Sequence, residues 1–385
     1  MRRVVLIITL LFASAVRADL TEKIACKDAP DQTYALFTPS SYNAARRWPI
    51  VYILDARGRA LDGLAPFRDA AEQLGFILAS SYNSASDQSN EPNIKSMRAM
   101  WNDTHATLSI DDKRVYAAGF SGTVRAACYL ALAAPGSFKA IIGAGAGFPP
   151  DHPPSPSTPF IFFGAIGTRD FNYGEMWELE KKLKAAGRGY RIVEFDGPHD
   201  WMPPALGREA LQWLVTRNGD ARFWDEDLSR AEKSTDIIDR QRRYAAMTRD
   251  YAGIHDTSLV SARAKFIAES KEYRDAVAAR DLIIRAEERA IAGAQRIFAA
   301  KPPYDAARAI ADLKIKELHE RKDDSAKRVL GVLSAQAGFY LPRDMMAKKQ
   351  YERAIFFLTI AKAINPESKY LDDQLARAEA QLSAK

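Results

Sequence analysis

From Trp48 to about Asn218, short apolar and β-branched runs alternate with longer amphipathic stretches, and this alternation constrains the fold more than any other feature of the chain. A strand buried on both faces reads as a continuous apolar run, so the pattern predicts a mostly parallel sheet flanked by helices, an α/β architecture. The expected strands are Pro49 to Asp55, Phe76 to Ser80, Arg114 to Ala118, Ala140 to Ala144, Phe160 to Gly164 and Tyr190 to Phe195. Tyr34 to Thr38 precedes them as an edge strand. Each run stops at Gly, Asp or Ser punctuation, where the chain can turn. Helices are expected over Thr123 to Ala134, Tyr173 to Ala186 and Pro204 to Thr216, the last opening with prolines that a first helical turn tolerates.

After Asn218 the β-type runs stop, and Ala, Arg, Glu, Lys and Leu recur at helical spacing to the end of the chain. Lys301-Pro302-Pro303, Leu341-Pro342 and Asn365-Pro366 are expected to break this region into helices that pair antiparallel, an all-α helical-hairpin region. Tyr351, Ala354, Leu358, Ala361 and Pro366 resemble the second helix of a tetratricopeptide repeat, although Gly338 and Pro342 stand where the first helix of that repeat has other residues. The division expected is a leader over 1–18, an α/β unit over 19–218 and a helical unit over 219–385.

Met1-Arg2-Arg3, the apolar run from Val4 to Ala13 and the small residues up to Ala18 read as a secretory signal peptide, which implies an exported, periplasmic or secreted protein. The apolar run is short of the roughly 20 residues that span a bilayer, so no stable membrane insertion is expected. The 55 basic and 49 acidic residues are intermingled, with no basic run carrying interleaved aromatics, so nucleic acid is not an expected partner. Cys26 and Cys128 are the only cysteines, too few for a disulfide framework.

The chemistry concentrates in Arg114-Val115-Tyr116-Ala117-Ala118-Gly119-Phe120-Ser121-Gly122-Thr123, a strand that runs into a tight turn and then into a helix. Gly119 and Gly122, close before and after Ser121, let strand and helix approach. The segment resembles the nucleophile elbow of the α/β-hydrolases, with Thr123 in place of the final glycine. His199, in Gly197-Pro198-His199-Asp200-Trp201 after a strand, stands where that resemblance implies a general base. Asp170, after the strand Phe160 to Gly164, stands where it implies the acid that orients the imidazole, with Asp196 and Asp200 as rival acids. The resemblance covers about Tyr34 to Thr216 and implies a serine hydrolase acting on a carboxylic ester or related acyl bond.

It also implies an oxyanion hole built from the amides of Gly122 and Arg57, with no metal and no cofactor. Tyr82, Phe120, Phe171, Tyr173 and Trp201 are expected around the cleft as substrate-binding aromatics. The short loop from Gly147 to Pro154 leaves no room for an inserted lid, so an open cleft for a small-molecule or polymer-linked ester is expected unless the helical region covers it. Two alternatives stay open: a peptidase on the same three residues, and a fold without turnover that binds a protein partner through its helical region.

Overall fold

The computed structural model describes residues 19–384, so the leader expected over 1–18 lies outside the described residues. Eight strands form one sheet in the order β1-β2-β4-β3-β5-β6-β7-β8. They are β1 (Asp19–Cys26), β2 (Ala29–Thr38), β3 (Trp48–Leu54), β4 (Ile77–Ser81), β5 (Ile110–Phe120), β6 (Ala140–Ala144), β7 (Ile161–Gly167) and β8 (Tyr190–Phe195). β2 pairs antiparallel with β1 and β4, whereas β4, β3, β5, β6, β7 and β8 pair in parallel. This is the mostly parallel sheet that the alternating runs predict.

β1 was not among the expected strands. Its sequence, DLTEKIAC, is mostly exposed and its pairing with β2 is irregular, so the apolar signal that betrays a buried strand is absent. β5 begins at Ile110 rather than Arg114, because polar Asp111, Asp112 and Lys113 extend it beyond the covered part of the sheet.

Six helices lie in or between these elements: α1 (Ala60–Leu64), α2 (Arg68–Leu74), α3 (Glu91–Thr107), α4 (Gly122–Ala133), α5 (Tyr173–Ala185) and α6 (Pro204–Arg217). One face of the sheet packs Ile50, Tyr52, Val115 and Ile141 against Met100 of α3, Val124 of α4 and Met176 of α5. The other packs Val51, Ile53, Ala118 and Phe163 against Phe67, Leu211 and Trp213. Each large side chain fully buried this way contributes about 1.5–3 kcal/mol, which is why the strands read as unbroken apolar runs. Glycines line up across the middle of the sheet, Gly119 beside Gly143 and Gly143 beside Gly164. A Cβ at Gly143 would come within 2.8 Å of the Val124 side chain, so this row lets α4 sit close to the sheet.

The chain then continues as α7 (Trp224–Lys233), α8 (Ile237–Asp250), α9 (Ser258–Glu269), α10 (Lys271–Phe298), α11 (Asp305–Arg321), α12 (Asp324–Ala335), a π turn (Gln336–Tyr340), α13 (Leu341–Ala347), α14 (Tyr351–Ile364) and α15 (Lys369–Ser383). Lys301 to Pro303 and Asn365-Pro366 separate helices as expected. Leu341-Pro342 does not: α12, the π turn and α13 run on without interruption, with Pro342 in the first turn of α13. The wider turn before it accommodates the missing proline N–H, so the ring shifts the helix rather than ending it. Ala354, Leu358 and Ala361 face inward from α14 into a core shared with α12 and α15. Ile284 of α10 and Ile238 of α8 join the core on one face of the sheet, so the helical region is packed onto the α/β unit.

Candidate active site

Ser121 sits between β5 and α4 with φ +56° and ψ −131°, a left-handed conformation that a side chain adopts only under strain. Two hydrogen bonds and the helix that follows hold it there. Its N–H donates to the Ala144 carbonyl at 2.8 Å, its carbonyl accepts from Val124 N–H at 3.0 Å, and α4 begins immediately after it. Thr123, where a glycine is usual, is fully buried, and its hydroxyl lies within hydrogen-bond reach of the carbonyls of Leu54 and Phe120, which share its one proton. A residue that departs from the motif thus ties the turn to the end of β3. Gly119 is required for a different reason, since a Cβ there would lie 2.7 Å from the backbone nitrogen of Val124. Gly119→Ala is expected to shift the turn and cost about 1–3 kcal/mol in stability, read as a lower urea midpoint. An unchanged midpoint would contradict that account.

The structure brings Ser121, His199 and Asp170 together although they come from three separate loops. His199 Nε2 lies 2.9 Å from Ser121 Oγ, and His199 Nδ1 lies 2.9 and 2.8 Å from Asp170 Oδ1 and Oδ2. Asp170 is 1% exposed, and its Oδ1 also accepts from Asn172 N–H at 2.7 Å. Asn172 in turn donates its side-chain N–H to the Gly145 carbonyl at 2.7 Å, which fixes the acid loop to the end of β6. Gly145, at φ +68°, has no room for a side chain, because a Cβ would be 3.0 Å from both the imidazole and the Asp170 carboxylate. The rival acids point elsewhere: Asp196 pairs with Arg169, and Asp200 accepts from Trp201 N–H at 2.8 Å. The arrangement is satisfied by an imidazole with its proton on Nδ1, leaving Nε2 to accept the serine proton.

The expected aromatics divide. Phe120 and Phe171 both lie against the imidazole, with ring centroids 4.8 and 4.1 Å from it, and Phe120 is almost fully buried. Trp201 does not line the cleft: it is 9% exposed, packs on Phe67, and donates its indole N–H to Asp55 Oδ2 at 2.9 Å. Tyr82 also departs from expectation, turning toward β1 to donate its hydroxyl to the Glu22 carbonyl at 2.8 Å. Tyr173 is buried, with its hydroxyl donating to Glu194. A side chain's preference for a pocket or for a neighbouring strand is not written in its aromatic character.

Arg57 is a further correction. Its N–H donates to Asp55 Oδ1 at 2.8 Å, so this amide is already engaged and not free to meet an oxyanion. Asp55 draws it in. Burial alone would raise the Asp55 carboxyl, but bonds from the Arg59 guanidinium, the Trp201 indole and the amides of Arg57 and Arg59 hold it below the usual carboxylate range. The amide one position earlier, on Ala56, has no hydrogen-bond partner among the described residues, and neither has that of Gly122 at the start of α4. Ser86, which nothing in the sequence singles out, packs against Gly122: a Cβ there would meet the Ser86 Cβ at 2.6 Å. Its N–H donates to the Ala56 carbonyl at 2.9 Å, so one loop after β4 touches both free amides' neighbourhoods.

No cluster of His, Cys, Asp and Glu among the described residues has the form of a metal site, and among them no helix is long and apolar enough to cross a membrane. Cys26 and Cys128 are both buried and unbridged.

No protein-family model matches the sequence, and no curated protein matches it either. Over about half its length the chain is similar to solved hydrolase structures. An S-formylglutathione hydrolase from Staphylococcus aureus aligns at 12% identity over 51% of this chain and 96% of that one, with a TM-score of 0.40. A second, from Agrobacterium tumefaciens, aligns at 14% identity over 53% and 97% of the two chains, also with a TM-score of 0.40. The feruloyl esterase module from Clostridium thermocellum aligns at 11% identity over 48% of this chain and 83% of that one, with a TM-score of 0.39.

Proposed function

We propose that this protein is a serine hydrolase that cleaves a carboxylic ester or a related acyl bond by two-step transfer through Ser121. The observation that carries the reading is the chain of short contacts from Ser121 Oγ through the His199 ring to buried Asp170, with the serine held at positive φ. His199 Nε2 takes the hydroxyl proton as Oγ attacks the carbonyl carbon, and the carbonyl π electrons move onto oxygen. Collapse of the tetrahedral species expels the leaving group, which takes the proton from Nε2. Water then attacks the acyl-enzyme by the same route, with Nε2 again accepting the proton, and frees Ser121.

The amides of Gly122 and Ala56 are the donors offered to the developing oxyanion, and the N-terminus of α4 adds its dipole, worth about 0.3–1 kcal/mol at an exposed site. The chemistry needs no metal or organic cofactor. The substrate class is a small-molecule or polymer-linked ester whose carbonyl reaches Ser121 past Phe171.

A fluorophosphonate probe is the direct test. The folded wild type is expected to form a single covalent adduct, located on Ser121 by peptide mass, and Ser121→Ala is expected to form none. A folded wild type that stays unlabelled, or equal labelling of Ser121→Ala, removes the proposal. Nitrophenyl esters assayed beside short peptide anilides are expected to turn over preferentially, which separates esterase from peptidase action.

A further inference from the structure

The continuous helical stretch from Asp324 to Ala347 touches both the loop that carries Asp170 and the loop after β4. On the side of the acid loop, Arg328 donates to the Thr168 carbonyl, lies over the Tyr173 ring at 4.5 Å and is neutralised by Glu287 of α10 at 2.6 Å. Gly331 faces Phe171, whose ring lies on His199, so closely that a Cβ would come 3.2 Å from the Phe171 Cβ and 3.5 Å from the ring. On the opposite side, the Tyr340 hydroxyl donates to Asp87 Oδ1 at 2.8 Å and Arg343 Nη1 donates to the Asp87 carbonyl at 2.7 Å.

Asp87 is an unusual place for two such bonds to converge. It has φ +62°, a conformation that costs a non-glycine residue free energy. Its other carboxylate oxygen accepts from Ser86 Oγ at 2.6 Å, and Ser86 is the residue packed on Gly122 and bonded to Ala56. The two donors come from the π turn and the turn following it, and a π turn is a poorer helix that persists where its altered register places side chains usefully. Tyr340 is 41% exposed, so its bond contributes little to overall stability. Burial and the neighbouring Asp87 carboxylate push the phenol up to about 12, so it remains a proton donor across the physiological range. A strained aspartate, a π turn and an outlying tyrosine are each unfavourable alone, and they meet one residue away from the loop that backs the free amides.

We propose that Asp87 is a positioning residue of the acyl-transfer site, clasped by Tyr340 and Arg343 so that Ser86 keeps the Gly122 and Ala56 amides aimed at the oxyanion. The helical region is then a working part of the hydrolase, acting on the transition state from outside the sheet. This inference rests on the reading of Ser121 as the nucleophile, and the test separates the two.

The experiment uses the full chain and a small nitrophenyl ester. In Tyr340→Phe combined with Arg343→Ala, kcat is expected to fall about ten- to a hundredfold, the scale of an active-site misplacement of about 1 Å, while KM stays within about twofold. The fluorophosphonate labelling rate is expected to fall in parallel. Arg343→Lys, which still reaches a single carbonyl acceptor, is expected to retain most of kcat. Should the double variant fail to fold, Tyr340→Phe alone removes one hydroxyl and is expected to lower kcat a few-fold with KM held. An unchanged kcat, or a rise in KM alone, overturns the proposal. A wild type that takes no label instead removes the nucleophile reading, whatever the variants do.

Discussion

Asp170→Asn is expected to lower kcat for ester hydrolysis by about 10⁴-fold while leaving the fold intact. The geometry gives the reason. Asp170 Oδ1 accepts from Asn172 N–H and also lies 2.9 Å from His199 Nδ1, so an asparagine would keep its oxygen there and put its amide nitrogen at the Oδ2 position, the nearer of the two to Nδ1 at 2.8 Å. Two donors cannot face each other, and the imidazole would move its proton to Nε2, where it can no longer accept from Ser121 Oγ. KM is expected to change little, because the carboxylate is buried away from the substrate. Steady-state kinetics on a nitrophenyl ester, with circular dichroism as the control for folding, reads the effect directly. A loss of less than tenfold in a folded variant would mean that another group orients the ring. The double change of Ser121 and Asp170 is expected to cost about as much as Ser121→Ala alone, since the residues act as a unit.

The second large effect is on stability and lies at the far edge of the sheet. Arg191 on β8 is 7% exposed and meets Asp227 at 3.0 Å, Asp250 at 2.9 Å and Glu209 at 3.4 Å. These acids come from α7, α8 and α6, so one guanidinium gathers three helices against an edge strand that would otherwise be open. Arg191→Met keeps the volume but leaves buried carboxylates without their shared cation, at an expected cost of about 3–5 kcal/mol at neutral pH.

The pH dependence carries the sign of the argument. Burial would raise the Asp227 carboxyl, but Arg191, with help from Arg230 and Tyr251, holds it below its ordinary range. A depressed carboxyl contributes stability above its unfolded range, near about 4, and that contribution is lost as pH falls through the folded value. Without Arg191 burial gains weight, the native state takes up protons more readily, and the variant loses less on acidification. The gap between wild type and Arg191→Met, measured as urea midpoints, is therefore expected to narrow from pH 7 to pH 5. A gap under about 1 kcal/mol at pH 7 would show that Arg230, Arg243 and Arg217 compensate.

Much of the candidate site was legible because its requirements are local. Ser121 is announced by the small residues around it and by the change from strand to helix period, and His199 and Asp170 follow strands that are continuous apolar runs. β1 escaped because an exposed edge strand has no apolar run to announce it. Pro342 misled because a proline marks a break only in an α-helical register, and here the preceding turn is π.

The sequence by itself determined the alternation that makes a parallel sheet, the sharp turn at Ser121 and the chain order of the three residues that meet there. All of these follow from steric demands within a few neighbouring residues. Only the tertiary structure decided that Arg57 spends its amide on Asp55, that Trp201 braces that same carboxylate and that Tyr82 turns to β1. It also brought Tyr340 and Arg343 to Asp87, across more than two hundred and fifty residues of chain. Hydrogen bonds between distant segments depend on where the whole fold delivers each donor, and residue type and spacing carry no record of that.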